Sequence, residues 1–162
     1  MAFPVVSVSH LSKKYGSHSA VDDLSFELQQ GEVYGFLGQN GAGKSTTIRM
    51  LLTLVQPSAG NIHIKGKDIT RYRKEALREV GAMIERPDLY PYLTAREHLR
   101  LFAGMNGMRI GNADMDACLE RVGLLERAES KVKTFSQGMK QRLGLAIALV
   151  HEPGILFLDE PT

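Results

Sequence analysis

Nine consecutive residues, Gly38-Gln39-Asn40-Gly41-Ala42-Gly43-Lys44-Ser45-Thr46, set three glycines, a lysine and two hydroxyls in the spacing GxxxxGK[ST]. A polyphosphate must be wrapped closely by backbone N–H groups. That takes residues that tolerate unusual φ/ψ and add no Cβ bulk. A helix opening at Lys44 aims further amides at the same anion. In this pattern Lys44 reaches the β- and γ-phosphates and the Ser45 hydroxyl ligates Mg²⁺. A second cluster, Ile155-Leu156-Phe157-Leu158-Asp159-Glu160, is an apolar run closed by two carboxylates. A buried strand presents acids only at its end, where Asp159 is placed to hold Mg²⁺ through water and Glu160 to polarise an attacking water. Two acids in tandem point to hydrolysis more than to transfer onto a small acceptor. Magnesium and a nucleoside triphosphate are therefore the expected ligands.

A third segment, Phe135-Ser136-Gln137-Gly138-Met139-Lys140-Gln141-Arg142, places a good N-cap, Ser136, two residues before Gly138. Together they make the start of a helix into an anion site open to close approach.

Taken in their order along the chain (residues 38–46, 135–142 and 155–162), and covering nearly all of it, the three segments resemble those of ATP-binding-cassette (ABC) ATPases. GQNGAGKST resembles their Walker A, FSQGMKQR their signature segment and ILFLDEPT their Walker B. The resemblance implies a P-loop NTPase core with an N-terminal β region and a helical insert. It also implies a head-to-tail pair in which Ser136 and Gly138 contact the γ-phosphate held by the opposite subunit. Tyr15, in SKKYG, matches the aromatic that stacks on adenine, and the absence of an NKxD motif leaves no guanine reader. Glu85 stands where most members carry a glutamine that senses the γ-phosphate and Mg²⁺; a carboxylate there implies a more charge-sensitive switch. Gln137 and Met139 replace the usual Gly and Gln, which makes the chain similar to the bacitracin-resistance and lantibiotic-immunity branch of exporters.

The implied activity is ATP hydrolysis, powering export of antimicrobial peptides or drugs through a separate transmembrane permease. A second nucleotide-binding subunit, identical or different, is the other implied partner, and no nucleic acid is expected. Leu89, Tyr90, Tyr92 and Leu93 form an aromatic-aliphatic stretch suited to docking the permease, or equally to packing within the insert. Family members continue beyond the second acidic motif through a D-loop and a switch histidine, and this chain contains neither. His151 precedes Asp159 and cannot be that histidine; it is expected to cap the signature helix electrostatically. A nucleotide-binding fragment without hydrolysis is thus one alternative, and poor turnover with marginal stability is expected of the 162-residue chain alone. A soluble ABC ATPase acting on ribosomes or DNA is another.

The elements that must position these residues are legible in outline, and their sum is an α/β fold. Val5–Ser9 and Val21–Leu28 read as strands. Val33–Leu37 is a continuous apolar run, the pattern of a strand buried on both faces, feeding the glycine loop and a helix over Lys44–Leu54. Asn61–Ile64, Gly81–Ile84 and Ile155–Leu158 are further short strands, with helical character in the second half of the linker that follows Ile64. Thr94-Ala95-Arg96-Glu97 is a capping box opening a helix to about Met105. Asp114–Val122 is another helix, stopped by Gly123. Ser136 precedes a long one ending near His151. The resulting domain plan is 1–85 for the nucleotide-binding core, 86–150 for a helical signature subdomain, and 151–162 for the return to the core.

Composition narrows the field. Twenty Lys+Arg against 18 Asp+Glu leave a net charge of +2, too balanced for a protein built mainly to hold nucleic-acid phosphates. A lone cysteine, Cys118, excludes an intrachain disulfide and reads as a buried, inert thiol. The longest apolar run, Leu143–Val150, has eight residues, far short of the ~20 a spanning helix needs. With no leader evident at the N-terminus, the expected location is the cytosol, peripheral on the inner face of the membrane.

Overall fold

The computed structural model describes residues 4–39, 41–85 and 87–159. The chain divides into two compact units, Met1–Glu79 and Val80–Thr162.

In the first unit, β1 (Val6–Tyr15), β2 (His18–Leu28), β3 (Ala59–Ile64) and β4 (Lys67–Asp68) form an antiparallel sheet in the order β2-β1-β3-β4. Val6 and Val8 of β1 are buried in alternation, and the next buried residue is Leu11 rather than residue 10. The phase slips because His10 takes a positive φ of 52° at a register shift, a bulge that returns the apolar face to the core. Opposite it, Gly60 has no alternative: a Cβ there would lie 2.3 Å from the His10 carbonyl oxygen. Gly16 turns β1 into β2, so that Tyr15 and His18 face each other across a two-residue hairpin. The short β4 has no counterpart in the sequence reading; Lys65 and Gly66, both at positive φ, make the turn that creates it. Helices α1 (Lys44–Leu51) and α2 (Arg73–Leu77) complete the unit, with Ile48, Met50 and Leu51 buried.

The doubly buried strand expected at Val33–Leu37 is not a strand. Val33 is 100% and Leu37 98% exposed. Tyr34 and Phe36 instead pack onto Phe26 of β2, with ring centroids 5.2 and 5.4 Å away. A continuous apolar run becomes a central strand only when neighbours cover both of its edges and both faces. Among the described residues no strand pairs with this one, so its alternate side chains divide between an aromatic cluster and solvent.

In the second unit, β5 (Val80–Ile84) and β6 (Ile155–Asp159) run parallel, from Val80 opposite Ile155 to Ile84 opposite Asp159. Between them in sequence lie α3 (Ala95–Met105), α4 (Asn112–Arg121) and α5 (Gln137–Leu149). The Thr94 capping box is formed: Thr94 Oγ1 accepts from the Glu97 amide at 3.1 Å and Glu97 accepts from the Thr94 amide at 2.7 Å. Gly123, at φ 65°, stops α4 as its spacing predicts. Leu99, Ala103, Met115, Leu119, Leu124, Leu143 and Ala146 fill the core of this unit. Cys118 lies among them, its thiol against the Ala146 carbonyl and pushed above the ordinary cysteine range by burial. Helix α5 approaches β5 closely: a Cβ on Gly81 would sit 2.2 Å from the Ala148 carbonyl oxygen. His151 does not cap α5; its Nε2 donates to the Val80 carbonyl at 3.0 Å, tying the chain after the helix to the start of β5.

Candidate functional site

The glycine loop and α1 belong to the first unit. Gly41 and Gly43 carry positive φ values of 87° and 86°, for different reasons. Around Gly41 a side chain would meet nothing, so glycine is there for backbone conformation alone. At Gly43 a Cβ would also strike the Ala20 carbonyl oxygen at 2.2 Å, so glycine additionally lets the loop lie against β2. Gly38 meets the other end of the loop, where a Cβ would lie 3.1 Å from the Ala42 methyl. Ala42 donates its amide to the Gln39 carbonyl at 3.1 Å; Asn40 lies outside the described residues.

Gly43 is the N-cap of α1 with no side-chain cap, and the first amide to bond back along the helix is that of Thr47, to the Gly43 carbonyl at 2.8 Å. The amides of Ser45 and Thr46 have no acceptor among the described residues, the condition for an anion site. Thr47 is buried and its hydroxyl also donates to Gly43, which locks the entry to the helix. The Lys44 ammonium donates to the carbonyls of Gly38 and Gln39 at 2.7 and 2.9 Å, so the cation is held over the loop itself. Tyr15, half exposed at the hairpin, carries the Lys13 ammonium 5.0 Å from its ring centroid.

The acidic edge belongs to the second unit. Parallel pairing of Ile84 with Asp159 brings the carboxyl ends of β5 and β6 side by side, so that Glu85 and Asp159 share one edge of the pair. Glu85 is exposed and leaves β5 at a positive φ of 58°, uncommon for a residue with a Cβ. Asp159 is 5% exposed, and its Oδ2 is buried with no hydrogen-bond partner among the described residues. An orphaned carboxylate oxygen is costly unless something charged or protic meets it. A carboxylate oxygen is a hard donor of the kind Mg²⁺ takes, as are the Glu85 carboxylate of this unit and, in the first unit, the Ser45 hydroxyl. Glu160 lies outside the described residues.

At the start of α5, Ser136 caps the helix by accepting from the Met139 amide at 3.2 Å. Gly138 is exposed, and a Cβ there would meet nothing within 4 Å. Among the described residues nothing packed near that position therefore demands a glycine. Of the four aromatic-aliphatic residues after β5, Leu89 packs on the helical core and Leu93 is half-buried, while Tyr90 and Tyr92 are 56% and 74% exposed.

Two residues that hold this surface escaped the sequence reading. His98 is fully buried: its Nε2 accepts the Tyr90 amide at 2.9 Å and its Nδ1 donates to the Thr94 carbonyl at 2.8 Å, which fixes the neutral tautomer. Arg96 pairs with both Asp116 and Glu129 at 2.5 Å, and these acids raise its already high pKa. Position four residues after a helix cap was the available signal for His98; nothing local marks Arg96.

The family model described as "ABC transporter" matches residues 21–162. The chain belongs to that family. It is 49% identical over 98% of its length to the bacitracin transport ATP-binding protein BcrA of Bacillus licheniformis, covering 51% of that protein. It is 43% identical over 98% of its length to the linearmycin resistance ATP-binding protein LnrL of Bacillus subtilis, again covering 51%. Among solved structures, an ATP-binding subunit of an ABC transporter superposes with a TM-score of 0.84 at 34% identity, over 97% of this chain and 66% of the other. This ABC chain thus has the P-loop NTPase fold of ABC ATP-binding subunits and spans about half the length of the curated relatives it matches. No helix among its described residues is long and apolar enough to cross a membrane.

Proposed function

We propose that this chain is the nucleotide-binding part of an ATP-hydrolysing ABC subunit that powers an exporter of antimicrobial peptides or drugs. The observation that carries the reading is the glycine loop: its positive-φ glycines, the amides of Ser45 and Thr46 with no acceptor among the described residues, and a Lys44 ammonium folded back on the loop carbonyls all fall within one short loop and helix start. In this reading, residues 38–46 wrap the triphosphate and Lys44 exchanges its carbonyl partners for the β- and γ-phosphate oxygens. Tyr15 stacks on adenine. Ser45 and Asp159 hold Mg²⁺, which supplies charge neutralisation of the phosphates when bound. Glu160 orients and deprotonates the attacking water, and Glu85 senses the γ-phosphate from the edge it shares with Asp159.

Ser136 and Gly138 face the triphosphate of a second nucleotide-binding subunit; open space around Gly138 supports an approach from outside the chain. The printed roles of the bacitracin and linearmycin relatives support export of antimicrobial compounds. Tyr90 and Tyr92 are the exposed half of the surface on which a transmembrane permease docks, placing the protein on the cytoplasmic face of the membrane. The domain plan 1–85, 86–150 and 151–162 belongs to the same proposal.

The test is nucleotide binding and turnover in the full-length protein. Lys44→Ala abolishes ATP binding, whereas Glu160→Gln keeps it and lowers hydrolysis by a factor on the order of 10² or more. Normal hydrolysis in Glu160→Gln overturns the assignment of the general base.

A further inference from the structure

We propose that Lys13 is a positioning residue for adenine recognition, holding the Tyr15 ring from one face and leaving the opposite face for the base. The inference rests on the reading of Tyr15 given above. Lys13 and Tyr15 are two residues apart on β1 and so project to the same side. The Lys13 ammonium lies 5.0 Å from the ring centroid, well within the ~6 Å over which a cation is drawn to an aromatic face.

Lys13 is not a loose surface cation. Its ammonium donates to the Gln56 carbonyl at 2.7 Å. Two further bonds bind the same stretch of β1 to the same turn: the Lys14 amide to Ser58 Oγ at 3.0 Å, and the Ser58 amide to the Ser12 carbonyl at 2.8 Å. The cation is thus fixed from outside the hairpin, and it fixes a tyrosine that is otherwise 51% exposed at a strand end. A ring held before the nucleotide arrives has already met the cost of its ordering, which is the advantage of a preorganised site. With one face taken by the ammonium, the base can stack only on the other.

A lysine near a nucleotide could also act by simple attraction for phosphate, and the two roles separate by probe. In the full-length protein, the affinities for ATP and for inorganic tripolyphosphate, each with Mg²⁺, are measured by calorimetry for the wild type and for Lys13→Met, Lys13→Arg, Tyr15→Ala and Lys13→Met/Tyr15→Ala. Lys13→Met is expected to weaken ATP by about 2- to 5-fold and to leave tripolyphosphate unchanged. Lys13→Arg restores ATP affinity, because a guanidinium also stacks on an aromatic face. Tyr15→Ala weakens ATP by on the order of 10-fold, and adding Lys13→Met to it costs nothing more.

Equal weakening of both probes by Lys13→Met overturns the proposal in favour of long-range charge. So does an arginine that behaves like methionine, or a Lys13→Met protein with wild-type ATP affinity while Tyr15→Ala is impaired. If Tyr15→Ala itself binds ATP normally, the adenine-platform reading fails and this inference fails with it. Wild-type far-ultraviolet circular dichroism and melting temperature report that each variant is folded.

Discussion

At the scale of single residues, the glycine loop separates two uses of the same amino acid. Gly41 and Gly43 both need a left-handed backbone, but only Gly43 also needs the space that a methyl group takes. Gly41→Ala should cost about 1–2 kcal/mol, the penalty of a Cβ at positive φ. Gly43→Ala adds overpacking against the Ala20 carbonyl, for about 3 kcal/mol in all. Urea midpoints of the two variants check this, and equal losses would show that the contact with β2 is unimportant. The pattern GxxxxGK[ST] already asks for glycine at the second of these positions; the reason tied to β2 needed the fold.

Asp159 makes the complementary point. Its place at the end of an apolar run was readable, and the run itself does form a strand. That one of its oxygens is buried with no hydrogen-bond partner among the described residues was not, because burial of a side-chain atom depends on what packs over it from elsewhere in the chain.

At the scale of elements, local signals with a stereochemical mechanism were the readable ones. The capping box at Thr94, the glycine stop after α4 and the serine cap of α5 all stand where their spacing puts them. The Thr94 box carries a pH prediction. Bonds from the Thr94 amide and hydroxyl hold the Glu97 carboxyl below the ordinary carboxylate range. A depressed folded-state pKa contributes stability that is complete above the unfolded value and disappears as the pH falls through the folded one. Wild type should therefore be more stable to heat than Glu97→Ala at pH 7, and the gap between their melting temperatures should close below about pH 4. A gap that stays constant to pH 3 contradicts an ionised cap.

The side-chain clasps at this scale were harder to read, with only a position four residues after the Thr94 cap to mark His98 and nothing local to mark Arg96. His98 binds the turn that carries Tyr90 and Tyr92 to α3, and the backbone amides of Val132 and Lys133 hold the same turn at Leu93 and Pro91. Arg96 joins α3 to Asp116 of α4 and to Glu129. With Asp116 and Glu129 41% and 73% exposed, each bond is worth at most about 1 kcal/mol; their role is to set where α3 lies.

At the scale of the whole molecule, the chain is two units, each with its own buried set. The exposed apolar faces of Val33 and Leu37 stand out in the first. Bare, β-prone and paired with no strand among the described residues, they form the kind of edge that draws chains together. Val33→Lys/Leu37→Glu in the 1–162 chain should change stability by less than about 0.5 kcal/mol, since neither side chain is buried. It should lower self-association, measured by light scattering against concentration. A variant that unfolds instead would show that these residues belong to a core.

By itself the sequence determined whatever depends on neighbours along the chain. The glycine loop and its helix, the caps, the acid at the end of β6, and the family to which such a set belongs are all of that kind. Turn, cap and phosphate-loop stereochemistry is settled within a few residues, so spacing alone specifies it. Only the tertiary structure decided what depends on partners distant in sequence. Val33–Leu37 stays out of the sheet because an apolar run cannot become a central strand without edges to pair with. Lys13 covers Tyr15 because the Gln56 carbonyl anchors its ammonium there, and Glu85 lies at the same end of the strand pair as Asp159 because β5 and β6 pair in parallel register.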